Sequence, residues 1–572
     1  MKPSAPSSPL RSAALPPLLP VILPILLAVV VLGVAFARVF PAGGAARPIP
    51  AARFTDVTEE AGLRFTHRQG GAETPTTLGG AVAVIDYDSD GRPDIFLVNG
   101  TTWPWEENSA DTATPAGTCA LFHNDGSGHF TDLTRSAGLA VAMQGMAAAV
   151  GDYDNDGQPD IFVTCVGANH LFHNLGDGKF EDVAVSAGVA GDDTTWSTGA
   201  TWIDIDGDGA LDLVVAHYAR WPENVGIGLA FTIADVGHSY GAPAGFFSAF
   251  PSVYRNAGHG RFVRVTDSAG LKDVDRQTGL PMAKPLAIVP VDVNGDGRID
   301  LLFSYHRAPN ALFVNQGDGT FRKWTTRDDR REGASAAVLS ASAPAFLRDA
   351  GDDPRLSALL AVGGLEPRVV EEGRVFLPGK FAFATLDYDF DGKLEIFSGQ
   401  GRAEPDLNKF ENGRAFALAP QLIVNDGSGW NQVAPTGADG AGWSRALVAR
   451  GIAVADFDGD GDLDVVVAQN NASPLLLRND QRGASPWLRV QLVATRRARE
   501  AAGAIVEVRT PGRVATQEAM PVMGYFAQSE SVLTFGLGED ARVRRVVVHW
   551  PSGQRQEIPV DGVNRTLVIR EP

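Results

Sequence analysis

"DYDSDGRPD", Asp86 to Asp94, places aspartates at positions 1, 3, 5 and 9 of a nine-residue stretch, with glycine at position 6. Four carboxylates this close repel one another unless a positive charge sits between them. A curled backbone points the side chains at positions 1, 3 and 5 to one focus, and glycine at position 6 permits the left-handed conformation such a curl needs. Position 7 adds a carbonyl and position 9 another carboxylate, a donor set suited to a hard divalent cation. The first five ligand positions match the start of an EF-hand loop. An EF-hand, however, has Glu at position 12 and continues as a helix, whereas here the ninth residue opens a β-type run, "DIFLVNG".

The stretch recurs. "DYDNDGQPD" (Asp152 to Asp160), "DIDGDGALD" (Asp204 to Asp212), "DVNGDGRID" (Asp292 to Asp300), "DYDFDGKLE" (Asp387 to Glu395) and "DFDGDGDLD" (Asp456 to Asp464) bring the copies to six. A solvated acidic turn would explain one copy, since Asp and Gly are common turn residues; six in one register argue for a metal. The candidate ligands are Asp86, Asp88, Asp90 and Asp94; Asp152, Asp154, Asp156 and Asp160; Asp204, Asp206, Asp208 and Asp212; Asp292, Asn294, Asp296 and Asp300; Asp387, Asp389, Asp391 and Glu395; and Asp456, Asp458, Asp460 and Asp464. Ca²⁺ is favoured over Mg²⁺, because its larger, flexible shell accepts several carboxylates. About six bound Ca²⁺ would move the formal net charge from −19 to −7.

Each turn sits between apolar runs that read as the two strands of a hairpin. A third strand ending in Asn follows in most copies ("LFHNDGSG", "LFHNLGDG", "VYRNAGHG", "LFVNQGDG", "LIVNDGSG"), then a fourth ("HFTDLTRSAGL", "KFEDVAVSAGV", "RFVRVTDSAGL"). Four strands in a unit of about 50 residues predict a propeller blade. "RFTDVTEEAGL" (Arg53 to Leu63) is a fourth strand with no blade before it. "PLLLRNDQRG" (Pro474 to Gly483) is a third strand with no fourth after it. The N-terminal strand is therefore expected to complete the last blade. Between Asp300 and Asp387 lies a stretch long enough for one further blade without an acidic turn. The predicted fold is all-β: a seven-bladed propeller over 53–483, closed by its N-terminal strand, then a small β-sandwich-like domain over 484–572.

Residues 1–37 form an apolar segment, with "LPPLLPVILPILLAVVVLGVAF" at Leu15 to Phe36 and Lys2 and Arg11 ahead of it. Two readings fit: a retained transmembrane anchor with the body of the chain outside, or a signal peptide cleaved near "AFA" at Ala35 to Ala37. Both predict export, to the periplasm or cell surface. Residues 38–52 read as a linker. The net charge of −19 argues against nucleic-acid binding. Two cysteines, Cys119 and Cys165, exclude a disulfide-rich scaffold or zinc ribbon; one bridge between them and two buried thiols both remain open.

The acidic turns with their flanking strands resemble FG-GAP/VCBS repeats, the Ca²⁺-binding blades of integrin α-subunit propellers. "WLRVQLV" (Trp487 to Val493), "GAIVEVR" (Gly503 to Arg509), "GYFAQSESVLTFGLGE" (Gly524 to Glu539) and "VVVHWPSG" (Val546 to Gly553) resemble the ASPIC/UnbV domain. Together they are similar to bacterial relatives of cartilage acidic protein. The resemblance implies calcium ligands at the six turns, with Asn294 and Glu395 as mild departures, and it implies architecture more than activity.

If all six turns share one face, the long links from second to third strand lie on the other. These insertions, Thr101 to Thr118, Ala219 to Ser252 and Gly401 to Pro420, carry Trp103, Trp105, Trp221, Tyr240, Phe246 and Phe247. Aromatics on long loops suit a face that binds a protein or glycan; capping the propeller or packing against the C-terminal domain is the plainer alternative. Trp196, Lys284, Trp443, Arg445 and Arg450 precede inner strands and are candidates for the mouth of the central channel. No G-x-S-x-G or H-E-x-x-H motif occurs. His123 and His173 fall at equivalent third-strand positions, as repeat residues do. The enzymatic alternative is a calcium-dependent polysaccharide lyase-like activity that would draft Lys284, Arg445 or Arg450 as its basic residue.

Overall fold

The structure is a computed structural model. It describes residues 49–68, 79–101, 117–221, 232–233, 237–238, 247–275, 278–281, 283–294, 296–305, 311–324, 380–401, 415–426, 430–433, 443–481, 485–495, 501–520 and 527–572. The described residues are almost entirely strand and turn, with one helical turn at Ala184–Ala187.

Six four-stranded antiparallel units follow one another, and each acidic turn joins the first strand to the second. Sheet one runs Val82–Ile85, Asp94–Leu97, Ala120–Asn124, Phe130–Asp132; sheet two, Gly145–Gly151, Asp160–Cys165, His170–Asn174, Phe180–Asp182. Sheets three, four and five repeat the order from Thr195–Ile203, Pro285–Val291 and Lys380–Leu386. In every unit the ninth residue of the turn is the first of the second strand, as at Asp94, Asp160 and Glu395. In the sixth sheet, Ala449–Ala455, Asp464–Gln469 and Leu475–Asn479 take Phe54–Asp56 as the fourth strand, with Phe54 opposite Asn479. The exchange of chain ends expected from the sequence is thus present. The stretch read as a degenerate blade falls largely on 325–379, outside the described residues.

The first strands are rich in Ala, Gly and Val and lie side by side from sheet one through sheet four, and again from five through six to one. Small residues there let neighbouring sheets approach, and larger side chains fill the widening space between them. Trp202 of sheet three stacks on Tyr153 of sheet two at 5.9 Å and donates its indole N–H to the Ala149 carbonyl. In four of the six sheets the Asn ending the third strand then fastens sheets together. Its amide donates to the carbonyl of turn position 2 in the preceding sheet: Asn174 to Tyr87, Asn256 to Tyr153, Asn124 to Phe457 and Asn479 to Tyr388, at 2.8–3.1 Å.

The C-terminal region forms two sheets around one core. Trp487–Val493 lies between Leu533–Gly536 and Arg565–Arg570; the other sheet is ordered Val514–Glu518, Ile505–Arg509, Arg545–His549, Arg555–Pro559. Leu488, Val490, Phe535 and Ile569 of the first sheet pack on Val506, Val508, Val546 and Val548 of the second. This region contacts the acidic-turn face. Ala527–Gln528 pairs in parallel with Val82–Ile85 of sheet one. The Gln528 amide bonds both the N–H and the carbonyl of Val150 in sheet two. Ser529 and Glu530 bond the N–H and carbonyl of Val454 in sheet six. Residues 527–530 therefore tie together the innermost strands of three sheets.

Cys119 and Cys165 are free thiols, both fully buried. Burial pushes the Cys119 thiol up to about 12 and raises Cys165 well above the ordinary thiol range. Neither is expected to react with a thiol reagent at pH 8 in the native protein, and both should react in guanidinium; fast native labelling would contradict this packing.

Among the described residues no helix is long and apolar enough to cross a membrane. The segment 1–37, read as anchor or signal, lies outside them.

Candidate metal centres

The curl expected from the spacing is present in each turn. The position-1 carboxylate accepts the N–H of the position-6 glycine: Asp86 from Gly91 (3.1 Å), Asp152 from Gly157 (2.8 Å), Asp204 from Gly209 (3.0 Å), Asp292 from Gly297 (2.8 Å), Asp387 from Gly392 (2.8 Å) and Asp456 from Gly461 (3.1 Å). Those glycines have φ between 80° and 102°, the left-handed region. Position 4 is left-handed too, with Ser89, Asn155 and Phe390 at φ 58–59°. Asn155 favours that region, and Gly207 and Gly459 hold position 4 in two other turns, whereas Ser89 and Phe390 give no such signal.

Position 9 is the most buried. Asp94, Asp160, Asp212 and Asp300 are fully buried, each with Oδ1 on the N–H of the third-strand Asn and Oδ2 on the N–H of turn position 2. A carboxylate has lone pairs enough for these bonds and a cation as well. This residue therefore fastens the hairpin whether or not it also binds a metal.

Ligand atoms of Asp86, Asp88 and Asp90 lie within 4.8 Å of one another, as do those of Asp152, Asp154 and Asp156, and of Asp204, Asp206 and Asp212. The fourth turn differs: Asn294 turns its amide nitrogen to Asp296 (2.9 Å). Position 7 supplies cations that neutralise position 5 at the surface, Arg92 on Asp90, Arg298 on Asp296 and Lys393 on Asp391. In the sixth turn the cation comes from the C-terminal domain. Arg489 reaches Asp456 Oδ2 at 2.6 Å and also binds Glu530, all three being at least nine-tenths buried.

Two residues were not counted as ligands in the sequence. His123 places Nδ1 3.1 Å from Asp94 and 3.8 Å from Asp88; His173 does the same to Asp160 (3.0 Å) and Asp154 (3.7 Å). The available signal was their shared position just before the third-strand Asn. They are repeat residues, as expected, but they touch the acidic turns.

Burial raises the position-9 carboxyls, to about 8 in Asp94, about 9 in Asp160 and about 7 in Asp212 and Asp300, with neighbouring carboxylates adding to the rise. Asp387 and Glu395 of the fifth turn are also raised well above the usual carboxylate range, Asp387 by burial and then by Asp391 and Asp389, Glu395 by burial and then by Asp387. With ordinary carboxyls near 4 in the unfolded chain, the native state holds more protons from pH 4 to about 9. Stability contributed by these groups is complete below pH 4 and falls as pH rises. Metal-free protein is therefore expected to melt lower at pH 8 than at pH 5. Calcium-loaded protein should show the opposite order, because the ion needs the ionised form.

Two carboxylate oxygens bear on whether a cation fits. Asp387 Oδ1 and Asp206 Oδ1 are buried from solvent with no hydrogen-bond partner. A buried anionic oxygen without a partner is costly. A hard cation bound by the surrounding oxygens would satisfy it, and the all-oxygen donor set of the fifth turn suits Ca²⁺.

The proposed channel-mouth residues are placed otherwise. Trp196 is 1% exposed and packed on Tyr218 and Trp221; Trp443 is wholly buried between Phe54 and Phe397. Arg450 is also wholly buried, inside the first strand of sheet six, and Lys284 bonds Ser248 at 2.8 Å beneath the surface. Arg445 is half exposed, 3.9 Å from Asp56. The apolar rings belong to the packing between sheets, which the sequence pattern did not separate from a rim. Of the insertion aromatics, Trp221 is buried and Phe247 exposed; Trp103, Trp105, Tyr240 and Phe246 lie outside the described residues.

Comparison with known proteins supports the repeat reading. A family model of FG-GAP-like repeats matches residues 86–163, 159–215, 292–342 and 387–467, and the ASPIC and UnbV model matches 494–572. Cartilage acidic protein 1 of Xenopus tropicalis is 26% identical over 330 residues, covering 56% of this chain and 41% of that protein. The Homo sapiens protein is 27% identical over 299 residues, covering 48% and 42%. The chain thus spans well under half the length of these relatives. A solved Bacillus licheniformis rhamnogalacturonan lyase overlaps 90% of this chain and 76% of its own at 11% identity and a TM-score of 0.25, which carries no argument for shared chemistry. The acidic repeats and the C-terminal match together show that this chain belongs to the FG-GAP-repeat proteins with a C-terminal ASPIC/UnbV domain.

Proposed function

We propose that the chain is an exported, calcium-binding β-propeller of seven blades, closed by its N-terminal strand, that serves as a cell-surface or periplasmic binding module for a protein or glycan. The observation that carries the calcium reading is the fifth turn, where Asp387, Asp389, Asp391 and Glu395 crowd together and Asp387 Oδ1 is buried without a partner. Six described sheets, with a stretch between sheets four and five long enough for one more, support seven blades. The apolar segment ahead of residue 38 supports export.

A concavity supports the binding role. On the side of sheet three away from its acidic turn, a polar cavity of about 290 Å³ is lined by Asp192, His217, Arg220, Phe250, Arg264 and Lys272, among others. His217 forms the floor, held between the hydroxyls of Ser197 (3.1 Å) and Ser252 (2.8 Å). The exposed Phe247 is adjacent in the chain and accepts the Arg220 N–H at its carbonyl. Three cations against Asp192 and Asp267 suit a ligand carrying an acid group.

The test is a binding screen of the full chain, with calcium, against acidic and neutral glycans and an extracellular protein panel. Arg220→Ala and Arg264→Ala should each weaken a hit at least fivefold. Hits that ignore both changes would move the binding face elsewhere. Release of unsaturated products from polyuronides would favour the lyase-like alternative instead.

A further inference from the structure

We infer that the fifth acidic turn is an interdomain cation site, in which the bound ion and the C-terminal domain hold each other in place. This rests on the calcium reading above and extends it from blade stability to the union of two domains.

The fifth turn is covered by the C-terminal domain. The Phe390 carbonyl, presented by its left-handed backbone, accepts the N–H of Gly538 at 2.9 Å. The Asp391 carbonyl accepts Nη1 of Arg513 at 3.0 Å, and the same guanidinium bonds the Gly536 carbonyl. The Phe390 ring lies 6.4 Å from that of Trp487, nearly parallel.

The fit is close on both sides. A side-chain carbon on Gly392 would come within 1.8 Å of Arg513 Nη1, and one on Gly536 within 2.1 Å of Asp387 Oδ2. The sixth turn adds the second half of the seat, with Trp487 over Gly461 and Arg489 on Asp456.

Beneath this cover the turn holds its carboxylates largely out of water. Asp387 is 2% and Glu395 1% exposed, and Asp387 Oδ1, which has no hydrogen-bond partner, is sealed from solvent. Arg513 directs its Nη1 and Nη2 hydrogen bonds to the carbonyls of Asp391 and Gly536 rather than to these acids. Without a cation the cluster can relieve its repulsion by opening toward water. Opening moves Phe390 and Asp391, whose carbonyls carry the domain contact. With a cation the turn is held in the shape the domain reads. Any such linkage is reciprocal: if the ion favours docking, docking tightens the ion by the same factor.

The test follows amide hydrogen exchange of full-length protein in peptides covering 486–492 and 533–540, with ion content measured in parallel. Chelation, and separately Asp387→Asn, should speed exchange in both peptides at least tenfold, and Asp387→Asn should lower calcium content by one ion. Asp86→Asn, in the first turn, should also lose one ion yet leave both peptides protected. From the domain side, Arg513→Met leaves every acidic group in place and should weaken one calcium ion about tenfold in a titration. This second variant keeps the inference testable should Asp387→Asn fold poorly. Unchanged exchange after loss of the Asp387 ion, or unchanged calcium affinity in Arg513→Met, overturns the linkage and leaves calcium binding standing. A full-length protein that retains no ion before chelation overturns both.

Discussion

Stripping calcium from the full chain is expected to lower its melting temperature by about 10 °C. At a tenfold excess of free ion over Kd, each site adds roughly 1.4 kcal/mol to the native state. Six such sites add about 8 kcal/mol, comparable with the whole stability of many domains. Unfolding roughly 430 residues carries an entropy of about 0.9 kcal/mol/K, so that free energy corresponds to about 9 °C. Calorimetry with and without a calcium-selective chelator checks it, and the shift should shrink by about one-sixth for each turn disabled by an Asp→Asn change at position 1. Coincident melts with and without chelator would falsify the metal reading.

Asn174→Ala is expected to cost about 2–4 kcal/mol, although this residue belongs to no acidic turn. The side chain is wholly buried and donates to the carbonyls of Tyr87 (2.8 Å) and Pro159 (3.2 Å), so it fastens sheet two to sheet one. Alanine leaves both carbonyls without a donor, at roughly 1–3 kcal/mol for each buried group. Asn174→Asp should be worse than alanine, because it turns a carboxylate on the same two carbonyls. Urea midpoints ordered wild type, Ala, Asp check the argument. Equal midpoints for wild type and Ala would mean that water replaces the amide.

Much of the propeller was legible because its information is local. A turn of nine residues fixes the first hairpin, and the Asn ending the third strand marks the next. Position 9 opened its strand in all six copies because the carboxylate that completes the turn also accepts the N–H groups starting the hairpin. The docking of the C-terminal domain was not legible. "AQSE" at Ala527 to Glu530 has no periodicity that separates a surface loop from a segment bonded to three inner strands. Arg489 sits in an alternating strand, where a charged residue ordinarily faces solvent; it is buried because Asp456 and Glu530 receive it. Lys284 and Arg450 misled in the opposite direction. Charge suggested a rim, whereas neighbouring sheets bury both.

The pairing of Phe54–Asp56 with Leu475–Asn479 sets an order on biosynthesis. Thr55 is made early and finds Asp480 only 425 residues later. Loop-closure entropy grows slowly, about 0.6 kcal/mol per doubling of length, so the finished molecule pays little for so distant a partner. The cost falls on timing, since contacts this remote form late. Until then the first strand and its vacant edge stay apart, and a second nascent chain can lend its own first strand to that edge. Refolding at high dilution should therefore yield self-paired monomers, and crowded refolding strand-exchanged dimers.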